Sequence, residues 1–247
     1  MSWPVRIATL KKGGFSLARF MAAQADGFWY DFGLIGTLSQ DTSGATPVAA
    51  FGDVIGRVVD RRTGANSPRN ATQATTSLKP KYQSTGAAFD GADDNLLTNY
   101  TAGSGDMFFA SRLTVPASVP VAQFPFGARD TTPNTNCYLV VKANGIVGAG
   151  IGNQNESTIT DLTLVDRRGS TIVVGLSLGT TVRLFINSAL VYEGAPSGNA
   201  STTVPWRIGA RNVNGSGASF FAGSVKSLVT GRQAIDLATF KKIAATI

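Results

Sequence analysis

The sequence has no histidine, a single cysteine and only two glutamates. Each shortage removes a class of chemistry. Without histidine, the Ser–His and Cys–His pairs that activate nucleophiles are excluded. With Cys137 as the sole thiol, no intrachain disulfide forms, and zinc loses its usual ligands. Cys137 lies in the apolar run Cys137-Tyr138-Leu139-Val140-Val141, where a small buried hydrophobe is expected rather than a nucleophile. A lone thiol fits assembly in a reducing cytoplasm. The glutamates, Glu156 and Glu193, are far apart and fall on different expected loops. A glycosidase needs two carboxyl groups flanking one bond. The adjacent pair Asp93-Asp94 does not supply them, because neighbours on an extended segment point to opposite faces. The expectation is that the chain is not an enzyme.

Charge is also scarce. Charged residues make up 15% of the chain, against roughly 25% in ordinary soluble proteins. The net charge of +7 reflects missing acids. It favours an anionic partner, or settles among neighbouring subunits. No dense Lys/Arg run with interleaved aromatics marks nucleic-acid binding. Long hydrophobic runs are missing as well: no stretch approaches the ~18 apolar residues of a membrane span. A signal peptide is not expected, since Lys11 and Lys12 come late and Arg19 interrupts the apolar part.

What the chain does have is 43% hydrophobic residues, enough for a core, and abundant Gly, Ser, Thr and Asn. That mixture suits short strands joined by tight turns. Residues 1–25 read as an N-terminal arm. A break at Lys11-Lys12-Gly13-Gly14 precedes a short helix, with Phe15, Ala18 and Ala22 on one face, joined by Leu17 and Met21. Lys11, Lys12, Phe15 and Arg19 are the candidates for attachment to a neighbouring subunit; packing on the chain's own domain is the equal alternative. Residues 26–247 read as one sandwich domain. Residues 26–85 are irregular, with a short strand at 56–60 and a long loop at 61–80. Regular β pattern begins at 86. Strands are expected at 107–113, 121–126, 138–141, 146–149, 171–178, 182–186, 190–192, 204–208 and 219–229. Asn144-Gly145 and Asn187-Ser188 mark hairpin turns. A terminal helix is expected with Asp236 as N-cap and Leu237, Phe240, Ile243 and Ala244 on one face. Strands at this spacing without alternating helices predict an all-β fold. The architecture expected is a two-sheet antiparallel jelly-roll sandwich with an N-terminal arm and a short C-terminal helix.

Four segments carry a family resemblance. Phe89-Asp90-Gly91-Ala92-Asp93-Asp94-Asn95-Leu96 resembles the Phe-Asp-Gly-x-Asp-Asp-x-Leu segment of concanavalin A-like, laminin G-like jelly-roll domains. Residues 182–191 resemble that family's hairpin, with Ser188 where the family carries Gly. Trp206-Arg207-Ile208-Gly209-Ala210-Arg211 and Phe220-Phe221-Ala222-Gly223-Ser224-Val225 follow in the same order. The first part is similar to the stretch preceding such domains in structural proteins of tailed phages and prophages. It carries Trp29-Tyr30-Asp31, Leu38-Ser39-Gln40-Asp41, Gly56-Arg57-Val58-Val59-Asp60 and Asn70-Ala71-Thr72-Gln73, but lacks that family's loop histidine.

The resemblance implies a non-enzymatic bacteriophage virion protein. It would be a fibre-, tail- or head-associated decoration subunit, assembled in the host cytoplasm and binding host-surface carbohydrate through sandwich loops. A purely structural decoration or collar subunit without glycan affinity is the alternative; a glycan-active enzyme trails both. The partners implied are other virion proteins, further copies of the chain as a homo-oligomer, and a host glycan. Jelly-roll lectins hold hydroxyls with loop Asn, Asp and Arg groups beside an aromatic face. The candidates here are Arg129, Asp130, Asn134 and Asn136; then Asn153 and Asn155; then Trp206, Arg211, Asn212 and Asn214. No cofactor is expected except calcium, for which Asp90, Asp93 and Asp94 are candidates; the plain alternative is a turn in which these side chains cap amides. Residues 145–152 are glycine-rich but lack the Lys-Ser/Thr ending of a phosphate loop.

Overall fold

The computed structural model describes residues 14–63, 68–130, 135–196, 198 and 200–247, without the side chains of 154–157. Lys11, Lys12 and Asn134 lie outside the described residues, as does the side chain of Asn155.

Two sheets face each other. The first has 8 strands, in the order Ala189–Gly194, Val182–Ile186, Thr171–Leu178, Met107–Thr114, Ser224–Gly231, Gly86–Ala88 and Lys81–Gln83. Gly27–Asp31 pairs with the remaining length of Ser224–Gly231. The second has 11 strands. Its main path runs Gln154–Thr160, Val147–Gly152, Asn136–Val141, Gln123–Arg129, Arg207–Ile208, Leu96–Leu97, Ala71–Thr72, Arg57–Val58 and Leu38–Ser39. A hairpin of Arg211–Val213 and Ser216–Ala218 joins Gln123–Arg129 through a parallel pairing; the other described pairings are antiparallel. The expected jelly-roll sandwich is the observed architecture.

Period-two alternation sorts the side chains. In Met107–Thr114, Met107, Phe109 and Leu113 enter the core between the sheets, while Phe108 and Ala110 face outward. The outward set is buried too, because both helices lie over it. That is why this strand reads as a continuous apolar run rather than an alternating one. The inter-sheet core centres on Trp206, stacked on Phe126 at 5.7 Å and met edge-on by Phe28, Tyr100 and Phe109.

The N-terminal helix, Leu17–Ala22, starts at Ser16, whose hydroxyl accepts from the Arg19 amide. It buries Leu17 and Met21 against the first sheet, and Phe20 meets Phe108 at 5.6 Å. The expected face of Phe15, Ala18 and Ala22 is corrected. Leu17 and Met21 stand one turn apart and offer more apolar area, so they win the buried side, and Phe15 and Arg19 stay exposed. The described part of the arm therefore packs on its own domain. The C-terminal helix, Leu237–Ala244, follows the expectation. Asp236 accepts from the Thr239 amide at 2.7 Å, and Phe240, Ile243 and Ala244 are buried.

Two further expectations change. Residues 26–85 supply strands to both sheets rather than an irregular lead-in. They are fastened by Asp60, a buried carboxylate that accepts from the amides of Trp29, Arg62 and Arg69 and from the Arg62 guanidinium. Glu156 and Glu193 stand in strands, not loops. Gln154–Thr160 is a polar edge strand, so no apolar alternation announced it, and Glu193 pairs with Arg183 at 2.8 Å. The expected hairpin turn is present: Asn187 and Ser188 both take positive φ, 47° and 67°, the conformation of a tight two-residue turn.

Candidate functional site

Lys81–Gln83 and Gly86–Ala88 form a hairpin in which Lys81 sits opposite Ala88. After Phe89 the chain turns sharply. Asp90 Oδ1 accepts from the amides of Ala92, Asp93 and Asp94 at 2.8, 3.3 and 3.4 Å, and the Asp90 amide donates to Asp94 Oδ2 at 3.1 Å. Gly91 has φ +81°, and a Cβ there would stand 2.6 Å from Ala222 Cβ, so only glycine makes this turn.

A cleft of ≈ 370 Å³ opens between the turn, the hairpin and the preceding short helix at Thr76–Leu78. Lys79, Lys81, Asp90 and Asp94 give it charge of both signs. Thr76, Ser77 and Gln83 add neutral polar groups, and Val54, Ala88 and Phe89 an apolar lining. Lys79 is nearly buried and donates to the Gln40 carbonyl at 2.8 Å. Burial, then the neighbouring Asp90 charge, push the Asp94 carboxyl up to about 6. Burial acts in the same direction on Asp90, but the three amides outweigh it and hold that carboxyl below its ordinary value.

Asp90, Asp93 and Asp94 each bring a carboxylate oxygen within 4.8 Å of the others. Calcium takes six to eight oxygens, yet Asp90 and Asp94 already spend lone pairs on backbone amides. The geometry is that of a turn capped by its own aspartates.

The loops expected to hold sugar do converge. Across the second sheet, Val213 stands beside Arg129, Arg129 beside Asn136, and Asn136 beside Gly152. Several of the expected side chains are nevertheless committed to the fold. Trp206 is fully buried, so its role as a sugar platform is corrected: its ring fills the inter-sheet core. Asn212 is buried, donates to the Pro205 carbonyl at 2.7 Å and accepts from the Gly215 amide at 2.9 Å. Asp130 is buried and accepts from the Thr203 amide at 2.6 Å. Asn136 is buried as well. For Asp130 and Asn212 the reason is the same: short polar side chains beside a turn satisfy its amides and carbonyls before they reach solvent. The Arg211 guanidinium lies 4.0 Å over Phe124 and 5.1 Å from Tyr138. Arg129 is half-buried; Asn153 and Asn214 are exposed.

Sequence reasoning found Asp90 and Asp94 but missed Thr76, Ser77, Lys79, Lys81 and Gln83. One signal was present. Ser84-Thr85 before Gly86 is a two-residue turn that folds Lys81 back beside Ala88.

No known family profile matches the chain, and no curated protein does. Among solved structures it is similar to a Trypanosoma rangeli sialidase in complex with sialic acid, with a TM-score of 0.56 and 11% identity over 88% of this chain. It spans 32% of that sialidase chain. It also aligns with the CBM40 of the Ruminococcus gnavus IT-sialidase bound to α2,3-sialyllactose, with a TM-score of 0.47 and 15% identity over 57% of this chain and 84% of that one. A third alignment, with the NanB sialidase of Streptococcus pneumoniae, has a TM-score of 0.45 and 14% identity over 59% of this chain and 24% of that one. The T. rangeli likeness is one of fold. The expectation that this chain is not an enzyme is corrected by these findings, because structures similar to it include sialidase chains.

Proposed function

We propose that the chain is a component of a tailed-bacteriophage particle whose sandwich binds host-surface carbohydrate in the cleft beside Asp90 and Asp94. The observation that carries the carbohydrate reading is the cleft's lining. Carboxylates and ammonium groups, with hydroxyls and an amide between them, meet an apolar wall in a hollow of ≈ 370 Å³. Saccharides present the complementary surface, hydroxyls around an apolar ring, and a hollow of this size falls in the range of small-molecule sites. The virion part of the reading is supported by the ordered resemblance of residues 29–73 to phage structural proteins, and by the +7 charge, which suits acidic lipopolysaccharide or capsule.

The test is a glycan array run beside host lipopolysaccharide and capsule fractions, with sialic acid and α2,3-sialyllactose included as probes. Saturable binding that survives moderate salt, and is weakened at least tenfold by Lys81→Ala and by Asp94→Ala, is the expected result. Absence of saturable binding, or binding unaffected by both substitutions, overturns the cleft. Antibody labelling of purified particles tests the virion assignment.

One observation favours a second reading, a structural subunit without glycan affinity. Asp130 Oδ2 and both polar atoms of the Asn212 side chain, at the convergent loops, are already engaged within the chain. The same array decides between the two.

A further inference from the structure

Among the described residues, the exposed large hydrophobic side chains Phe15, Leu34, Phe51 and Val121 come singly from separate segments of the chain, and single exposed side chains need no partner. One edge is different. Leu162, Leu164 and Val165 project from a single loop with exposures of 64%, 65% and 44%, and Leu190 is 39% exposed on the neighbouring edge strand. Loop and strand are fastened together by the Leu162 amide, which donates to the Val191 carbonyl at 3.2 Å.

The loop is rigid rather than slack. The Asp161 carboxylate, itself buried, accepts from the Thr163 amide and from the Arg167 guanidinium, each at 2.9 Å. The Leu164 amide donates back to the Asp161 carbonyl, and the Arg167 amide donates to Gly145. Inside this frame Leu164 holds φ at +52°, a left-handed conformation that leucine seldom adopts. Strain of this kind persists only where the surroundings over-determine it, and it is concentrated at contact and clamp sites. Here its effect is to hold an aliphatic side chain in solvent, already fixed for a partner, so little further ordering is needed on contact.

The charges at this edge identify the partner. Asp161–Arg167, Asp166–Arg168 and Arg183–Glu193 are three one-to-one ion pairs. They cancel one another; Lys142, which donates to Thr160 Oγ1 at 3.1 Å beside the loop, adds one positive charge, so the edge is nearly neutral in a chain that carries +7. An acidic partner is drawn to the more positive remainder of the surface. Two copies of the chain repel each other elsewhere but meet at this edge with little of that penalty. A rim bearing both signs also suits a two-fold axis, where an acid of one copy faces a base of the other and the reverse contact is made at the same time. We infer that the aliphatic edge formed by Leu162, Leu164, Val165 and Leu190 is a self-association face, and that its occupant is a second copy of the chain in a two-fold pair.

The experiment is sedimentation of the full chain from about 1 to about 200 µM, the range in which weak interfaces dissociate. The expected result is a mass that rises with concentration from 25.7 kDa toward twice that value. Leu164→Asp is expected to stay monomeric throughout. Aspartate accepts the left-handed conformation, so the fold is kept, and it lowers the net positive charge, so extra repulsion does not explain the loss. Leu190→Asp serves as a second variant on the strand side, and Val121→Asp, at an isolated exposed position, is expected to pair like the original chain. A monomer at every concentration, an assembly of another order, or pairing unchanged in both Leu164→Asp and Leu190→Asp overturns the inference.

Discussion

Phe240 of the C-terminal helix lies directly over Gly175 of the Thr171–Leu178 strand: a Cβ at position 175 would stand 2.4 Å from Phe240 Cε2. The missing side chain is the seat into which the helix docks, and Phe185, the cross-strand neighbour of Gly175, stacks on the ring at 4.9 Å. Gly175→Ala is therefore expected to lower stability by about 1–3 kcal/mol, the usual range for overpacking. Because the clash is with one ring, combining it with Phe240→Ala should cost less than the two changes summed. Urea denaturation of the two single variants and the double variant measures this. Additive losses would mean that the ring does not rest on residue 175.

A second expectation concerns the hairpin turn. Ser188 holds φ at 67° beside Asn187, whose side chain is anchored by the Val173 amide at 2.9 Å. Glycine carries no steric cost in this region. Ser188→Gly should raise stability by about 0.5–1 kcal/mol, read as a higher Tm. A lower Tm would contradict the turn geometry.

Asp94 gives a pH signature. Its folded carboxyl is pushed up to about 6 from an ordinary value of 3.8. The folded state thus holds this proton more tightly than the unfolded chain. Its stabilising contribution is complete below 3.8 and is lost as pH rises through about 6. Asp94→Asn keeps an oxygen for the Asp90 amide and removes the ionisation. The variant should gain Tm relative to the original chain across that window and hold the gain at higher pH. A constant difference at every pH would show that ionisation of Asp94 is not involved.

The Asp60 network predicts the largest loss. Its carboxylate and the paired Arg62 are both nearly inaccessible, at 1% and 5% side-chain exposure. Removing one partner strands the other charge in the interior, which costs about 3–5 kcal/mol. Asp60→Ala should cost that much by urea denaturation, with loss of order in the strand Gly27–Asp31, whose Trp29 amide it accepts. A loss below about 1 kcal/mol would place the pair in the class of solvent-screened surface bridges.

How far the sequence revealed this molecule depends on what each segment buries. Thr171–Leu178 and Val182–Ile186 were legible to the residue, since apolar side chains and a turn bounded them. The C-terminal helix was legible because its cap and its apolar stripe agree. Gln154–Thr160 was not, because a polar edge strand has no hydrophobic alternation to display. Trp206 was misplaced for a related reason: a tryptophan near polar loops looks the same in sequence whether its ring faces the core or a ligand. In the cleft, Asp90 and Asp94 belong to one local motif and could be found. Lys81 comes beside them only through strand pairing, and Lys79 through the bond from the Asn95 amide to the Leu78 carbonyl, neither of which the sequence prints.

The strand Gly27–Asp31 pairs along its whole length with Ser224–Gly231, which also lies between Met107–Thr114 and Gly86–Ala88. The middle of the first sheet is thus made after every other strand of that sheet. Until it leaves the ribosome, the earlier strands have a gap where their central neighbour belongs. Contacts this distant in sequence make for slow folding, on the millisecond-to-second scale or beyond. Translation therefore acts as a timer: the first sheet closes only once Ser224–Gly231 has been made, and a fragment lacking that strand lacks the centre of the sheet.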